Sequence, residues 1–317
     1  MTRSAVTRIE SPSSPKHALT IDVECYYQIF QRNYFATDVQ ATREVVTCTE
    51  KLLDLLASTG VCGTFFIVGR VAETFPSLVR RIVNENHELG SHGFSHIYVN
   101  KVTESEFRDD LRRSRETLED IGGTAVCGFR APQFSLDRST PWAYDVLCDL
   151  GFQYDSSVFP FSGRHYGDPQ APLVPWTVQR GNKSILEIPM TVVKRLGRRW
   201  PAAGGGYLRY LPYDWNASAI RQVEREHRHA VVYLHPYELA DNTSNPDFDV
   251  AVRAAPWKTR FAHRMQLINR GKTVNKLSKL IRQFDFGTIR DVFQLQHRSN
   301  SGPVERLRTP QRNMLER

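Results

Sequence analysis

No stretch of this 317-residue chain is apolar over the roughly 20 positions a helix needs to cross a bilayer. Met1 to Lys16 is polar, with serine and proline where a secretory leader would carry an apolar core. A soluble chain, cytoplasmic by default or peripheral to a membrane, is the expectation. Cysteine is sparse. The five residues Cys25, Cys48, Cys62, Cys127 and Cys148 are odd in number, scattered and without a Cys-x-x-Cys pair. That pattern speaks against a disulfide scaffold or a zinc knuckle and for reduced, mostly buried thiols. Acidic side chains are also in deficit: 34 Asp and Glu against 42 Lys and Arg leave a formal charge of +8 and a pI near 9.3. The excess, heaviest in Lys194-Arg195-Leu196-Gly197-Arg198-Arg199 and between Arg253 and Arg317, would attract nucleic acid, phospholipid head groups or an acidic polymer. No recognition motif accompanies it, so no nucleic-acid partner is expected and a solvated basic surface is the plainer reading. The triple glycine Gly204-Gly205-Gly206 lacks the Lys-Ser/Thr of a phosphate loop and reads as a turn.

What is present is ample material for a core. At 40% hydrophobic content the chain can form one large α/β domain or two small ones. Apolar runs that read as strands, Ala18–Glu24, Gly63–Val68, Ala125–Phe129, Phe152–Val158, Ile185–Met190 and His229–His235, alternate with amphipathic segments. Helices are expected over Thr42–Ser58, from Pro76, over Glu104–Ile121, Pro141–Leu150 and Tyr213–Arg228, and in the basic segment Asn269–Gln283. Such alternation predicts a mostly parallel sheet or barrel. Residues 1–16 read as a flexible lead-in, 17–240 as the barrel, 241–296 as a helical extension packed on it, and 297–317 as a disordered tail.

One stretch organises the chain: Glu88-Leu89-Gly90-Ser91-His92-Gly93-Phe94-Ser95-His96. Two imidazoles four residues apart can point the same way across one helical turn and grip a single metal ion. An acidic segment, Leu19-Thr20-Ile21-Asp22-Val23-Glu24, and a third histidine segment, Val231-Val232-Tyr233-Leu234-His235-Pro236, each close a strand of their own. Strand ends converge in barrel-like α/β folds, so acid, base and ligand types at three such ends form a candidate site. In a strand alternate residues share a face, which lets Asp22 and Glu24 look the same way while Val23 packs behind them.

The order Thr20-x-Asp22-x-Glu24, Ser91-His92-x-x-x-His96, Arg130-Ala131-Pro132, Leu234-His235-Pro236 resembles the NodB-type polysaccharide deacetylase family. More narrowly the chain is similar to the deacetylases of bacterial exopolysaccharide gene clusters, the PEP-CTERM/exosortase-associated group. It carries Ile21-Asp22-Val23-Glu24, Gly128-Phe129-Arg130-Ala131-Pro132, Glu187-Ile188-Pro189, Gly205-Gly206-Tyr207 and His235-Pro236-Tyr237-Glu238-Leu239. The match runs from about Leu19 to Val292. It departs from the family in separating the two acids by Val23, and from the narrower group in placing Cys25 where an acid usually follows. The resemblance implies a distorted (β/α) barrel of about seven strands and hydrolysis of N-acetyl groups on hexosamines of a bacterial polysaccharide or its precursor.

Amide hydrolysis near neutral pH needs a nucleophilic water, a stabilised oxyanion and a proton for the departing amine. With the resemblance in hand, Glu24, His92 and His96 are expected to ligate a divalent metal, zinc first by ligand type, with cobalt, nickel or manganese able to occupy such a site. Asp22 is the expected general base, Arg130 its ion-pair partner, and His235 the general acid. Asp22 and Glu24 could exchange roles, Arg130 could only brace the barrel rim, and His235 could be a satisfied core histidine. The backbone N–H of Gln133 is a candidate oxyanion donor. Tyr207 and Trp142, with Trp176 and Tyr210, are candidates to stack on sugar faces. The partner of His235 stays open, Asp155 being one candidate. The expected partner molecule is an N-acetylated glycan, with peripheral contact to polysaccharide-assembly machinery. The competing readings are a cyclic amide or ureide hydrolase on the same barrel, and a non-catalytic glycan-binding subunit.

Overall fold

Every residue of the first strand, His17–Val23 (β1), is buried in the computed structural model, which describes residues 16–163, 166–202, 204–240 and 245–295. Burial on both faces is the mark of a strand inside a parallel sheet, and ten more strands follow among the described residues. They are Thr64–Ile67 (β2), Glu88–Ser91 (β3), Gly128–Phe129 (β4), Tyr154–Asp155 (β5), Trp176–Arg180 (β6), Lys183–Glu187 (β7), Val192–Arg195 (β8), Arg198–Pro201 (β9), Val231–Leu234 (β10) and Phe286–Gly287 (β11). The main sheet runs β10-β1-β2-β3-β4-β5-β7-β6, with β11 also paired to β1. From β10 through β7 all pairings are parallel, and only β6 returns antiparallel. This is the α/β architecture expected from sequence: among the described residues seven parallel strands form the path from β10 to β7, and β11 adds an eighth beside β1. The segment after β7 turns back to β10, and the Thr191 side chain bridges the two. The Thr191 hydroxyl accepts from the Val231 N–H at 2.6 Å and donates to the Val231 carbonyl at 2.9 Å.

The connecting helices bury one stripe each. Glu104–Gly122 begins with a capping box, in which Thr103 accepts from the Glu106 N–H and the Glu106 carboxylate accepts from the Thr103 N–H. It sends Phe107, Leu111 and Leu118 inward and stops at Gly123 in the left-handed region (φ 64°). Glu44–Thr59, Pro76–Asn84, Ala143–Asp149 and Tyr213–Arg225 lie within a few residues of the expected limits.

Three features differ from the sequence expectation. Tyr26–Phe35 is a helix that the pattern reading does not include: Tyr26, Tyr27 and Phe30 form its buried face, and Cys25 at its N-cap makes no side-chain cap bond, so the usual start signal is missing. The basic run Lys194 to Arg199 is a hairpin, β8–β9, turning through Leu196 (φ 51°) and Gly197 (φ 73°). The C-terminal region adds a strand as well as helices, because β11 pairs with β1. Helix Arg270–Gln283 buries Thr273, Leu277, Leu280 and Ile281 against the barrel. The expectations for residues 1–15 and 297–317 lie outside the described residues.

Close packing sets one stability prediction. A Cβ at Gly128 of β4 would fall on the ring of buried Tyr154, whose hydroxyl donates to Glu88 at 2.8 Å. Gly128→Ala should therefore destabilise the fold by about 1–3 kcal/mol, read as a lowered urea midpoint with an unchanged slope.

Candidate active site

The C-terminal ends of the parallel strands open into a cavity of about 460 Å³ lined by Asp22, Glu24, His92, Gln133, Tyr207 and His235, among others. β1 delivers the acids: the period of two turns Thr20, Asp22 and Glu24 to one side. β3 delivers the histidine pair, though not on a helical turn. The chain bends at Gly93 (φ 74°) and again at His96 (φ 54°). The Asp110 carboxylate pins the bend by accepting from the Phe94 N–H at 2.7 Å and the Ser95 N–H at 2.9 Å.

Glu24, His92 and His96 are buried, and each offers a ligand atom within 4.8 Å of the others. Glu24 Oε2 lies 2.7 Å from His96 Nε2 and 3.5 Å from His92 Nε2. Burial pushes the Glu24 carboxyl up, but the imidazoles of His235 and His96 outweigh it and hold the pKa well below the usual carboxylate range. The Tyr237 hydroxyl donates to its other oxygen at 3.2 Å. His92 Nδ1 stands 2.8 Å from the Arg130 carbonyl, which can only accept, so Nδ1 carries the proton and Nε2 offers a lone pair. His96 is held from the opposite side by Arg32, 2.7 Å from Nδ1 and donating also to the Ser95 and His96 carbonyls at 2.6 and 2.8 Å. A guanidinium only donates, so His96 carries its proton on Nε2 and shares it with Glu24; to ligate a cation through Nε2 the neutral ring would carry the proton on Nδ1 instead, leaving Arg32 to the Ser95 and His96 carbonyls. Two imidazoles and a carboxylate with an open side fit a divalent metal.

Asp22 sits beside this trio. Arg130, with no exposed surface, donates to Asp22 Oδ1 at 2.8 Å and to the Thr20 hydroxyl at 2.8 Å. It is fixed from behind by the Ser156 carbonyl at 3.0 Å and by the ring of Phe66, 4.3 Å below its guanidinium carbon. Opposite, His235 Nε2 lies 3.5 Å from Glu24 Oε1, and its Nδ1 lies 3.4 Å from Glu238. Burial works against the imidazolium, yet Glu24 and Glu238 outweigh it and raise the His235 pKa to about 9. Glu238 is itself gripped by buried Arg209 at 2.7 Å.

The structure thus gathers Asp22, Glu24, His92, His96, Arg130 and His235, with Gln133 in the left-handed region (φ 52°) and half-buried Tyr207 on the wall. Trp142 is not among them: it packs against Phe107, ring centroids 5.7 Å apart, at the edge of the core. Trp176 lines a neighbouring cavity of about 340 Å³. Asp155 is not the partner of His235. It accepts from Ser157 and faces Glu187, deep in the sheet. Glu238 takes that place, and its signal was in the sequence: a glutamate three residues after His235 with Pro236 between them is a capping-box spacing. Cys25 turns away from the ligand trio to Thr42.

Residues 27–154 match the family model described as "Polysaccharide deacetylase", and residues 156–294 match one described as a domain of unknown function, DUF3473. The division falls at the end of β5, inside a continuous sheet, and the cavity takes residues from both sides of it. A peptidoglycan-N-acetylglucosamine deacetylase of Bacillus cereus is 36% identical over 125 residues, 38% of this chain and 46% of the relative. The peptidoglycan-N-acetylmuramic acid deacetylase PdaA of Bacillus subtilis is 35% identical over 164 residues, 47% and 62%. The chain spans about half the length of these relatives. A crystal structure assigned as a polysaccharide deacetylase from Mycobacterium smegmatis aligns over 95% of this chain and 99% of its own, at TM-score 0.57 and 20% identity, which shows a shared fold.

Proposed function

We propose that this chain, which belongs to the NodB-type polysaccharide deacetylase family, hydrolyses the N-acetyl groups of hexosamine residues in a bacterial glycan. The observation that carries the reading is the meeting, at one cavity, of a Glu24–His92–His96 ligand set with the Asp22–Arg130 pair on one flank and His235 on the other. Glu24, His92 and His96 would hold a divalent cation, zinc by ligand type. When bound there it polarises the acetyl carbonyl and makes water acidic near neutral pH.

The chain's own groups supply the rest. Asp22, fixed by Arg130, takes a proton from water as its oxygen bonds to the acetyl carbon. The Gln133 N–H faces the developing oxyanion. His235, with Glu238 at its Nδ1, gives its proton to the amine nitrogen as the carbon–nitrogen bond breaks, releasing acetate and a free amine. Tyr207 on the cavity wall offers a ring face to the sugar. Motif-level similarity to the exopolysaccharide-cluster group favours an exopolysaccharide or its precursor as the substrate.

Purified protein supplied with zinc, cobalt, nickel or manganese should release acetate from an oligomer of N-acetylglucosamine. Chelation should stop the release and metal should restore it. Acetate release by rigorously metal-free protein would overturn the metal reading, and none from any N-acetylated glycan under all four metals would overturn the reaction.

A further inference from the structure

Helix Trp257–Leu267 wears its apolar side outward. Trp257, Arg260, Phe261 and Arg264, at i, i+3, i+4 and i+7, share one face, and all four are exposed. Trp257 keeps 66% and Phe261 57% of their surface open. Among the described residues, the only buried member of the helix is Thr259. On its inner side His263 anchors it, 2.7 Å from the Tyr26 hydroxyl and edge-on to Phe30. This inverts the usual pattern, in which large apolar residues at that spacing face the core. The helix itself and the chain after it carry charge of one sign, while Asp247 and Asp249 stand on the preceding helix Pro246–Ala254, which packs against it. From Val250 to Phe284 the chain carries no Asp or Glu, while Arg253, Lys258, Arg260 and Arg264 are all exposed and, among the described residues, make no side-chain ion pair. The opposite, inner side of the helix borders the active-site cavity. Gln266 lines that cavity and is held by Arg209, and the half-open rings of Tyr34 and Tyr210 stand on the same rim.

We propose that this face docks the protein on an anionic lipid surface. Aromatic side chains enter the head-group region while flanking lysines and arginines meet phosphates, the chemistry of a helix that lies in the interface without spanning it. No helix among the described residues is long and apolar enough to cross a membrane. Docked this way, the helix holds the cavity bordered by its inner side close to the bilayer, where a lipid-linked N-acetylated glycan presents its sugars; this last step rests on the deacetylase reading, while the docking itself does not.

The full-length protein, sedimented with vesicles of phosphatidylglycerol and phosphatidylcholine, should partition strongly onto them and weakly onto phosphatidylcholine alone, with binding that falls as salt rises. Changing Lys258, Arg260 and Arg264 to glutamine should weaken partitioning about fivefold per charge removed. A Trp257→Ser, Phe261→Ser variant should lose it on both kinds of vesicle. Both variants should release acetate from a soluble oligomer at the wild-type rate, so a failure of docking and a failure of catalysis are read separately. Absence of binding to anionic vesicles, or binding that neither variant weakens, overturns the proposal. Sedimentation with native membranes but not with protein-free vesicles also overturns it and assigns the face to a protein.

Discussion

Asp22→Asn should keep the metal and lose about 10²- to 10⁴-fold in kcat, whereas Glu24→Gln should lose the metal itself. The two acids stand two residues apart on one face of β1, and sequence leaves their roles interchangeable; the surroundings separate them. Asp22 meets Arg130 and the Thr20 side of the cavity, while Glu24 meets both imidazoles of the pair and His235. Asparagine keeps an oxygen for Arg130, which matters because that guanidinium is wholly buried. An alanine there would strand a buried charge, at about 3–5 kcal/mol of stability, and confuse folding with chemistry. Glu24→Gln removes a ligand charge, so affinity should fall by more than the roughly 10- to 100-fold typical of losing a supporting partner. Metal content after dialysis and single-turnover acetate release, measured on both variants, decide the matter. Metal loss in Asp22→Asn with retention in Glu24→Gln would exchange the two roles.

The parts of the molecule legible in the sequence are those where one local pattern decides. Buried parallel strands announce themselves as apolar runs, and the charged helix Glu104–Gly122 by its cap and stripe. The strand-end residues Asp22, Glu24, Arg130 and His235 could be placed together because parallel strands bring their C-terminal ends to one rim. What escaped depends on contacts far apart in the chain. Arg32 reaches His96 across 64 positions and Arg209 reaches Glu238 across 29, and neither carries a local mark. Trp142 looked like a sugar platform only because an aromatic near a strand end is ambiguous; its neighbour Phe107, 35 positions away, decides for the core. The bend at His92–His96 carries no local mark, because an i, i+4 histidine pair fits a helix equally well and the pinning carboxylate, Asp110, lies on the helix Glu104–Gly122.

The fold should weaken steeply in mild acid, and two histidines outside the active site are the cause. His17 and His87 are buried, and burial lowers the pKa of each to about 4. Both use Nδ1 as an acceptor, His17 for the Ala230 N–H and His87 for the Gly63 N–H, each at 3.1 Å. A proton on Nδ1 would break that bond and bury a charge. In the unfolded chain each imidazole titrates near 6.5, so acid protonates the unfolded state first. The stabilisation is whole above that value and is lost as pH falls toward 4. Each group should remove about 2 kcal/mol by pH 5 and about 3 kcal/mol by pH 4. His235 acts with the opposite sign: its pKa, raised to about 9, stabilises the fold fully below 6.5 and ceases to do so as pH rises through 9. Urea unfolding between pH 7 and pH 5 reads the pair against the other groups that titrate there, among them His96 and His263, which burial also lowers, and Glu187, which burial raises. The slope should be shallower in His17→Gln or His87→Gln than in the wild type, and shallower again when both are changed. A wild-type stability that stays level from pH 7 to pH 5 would show that neither imidazole is held neutral by its surroundings.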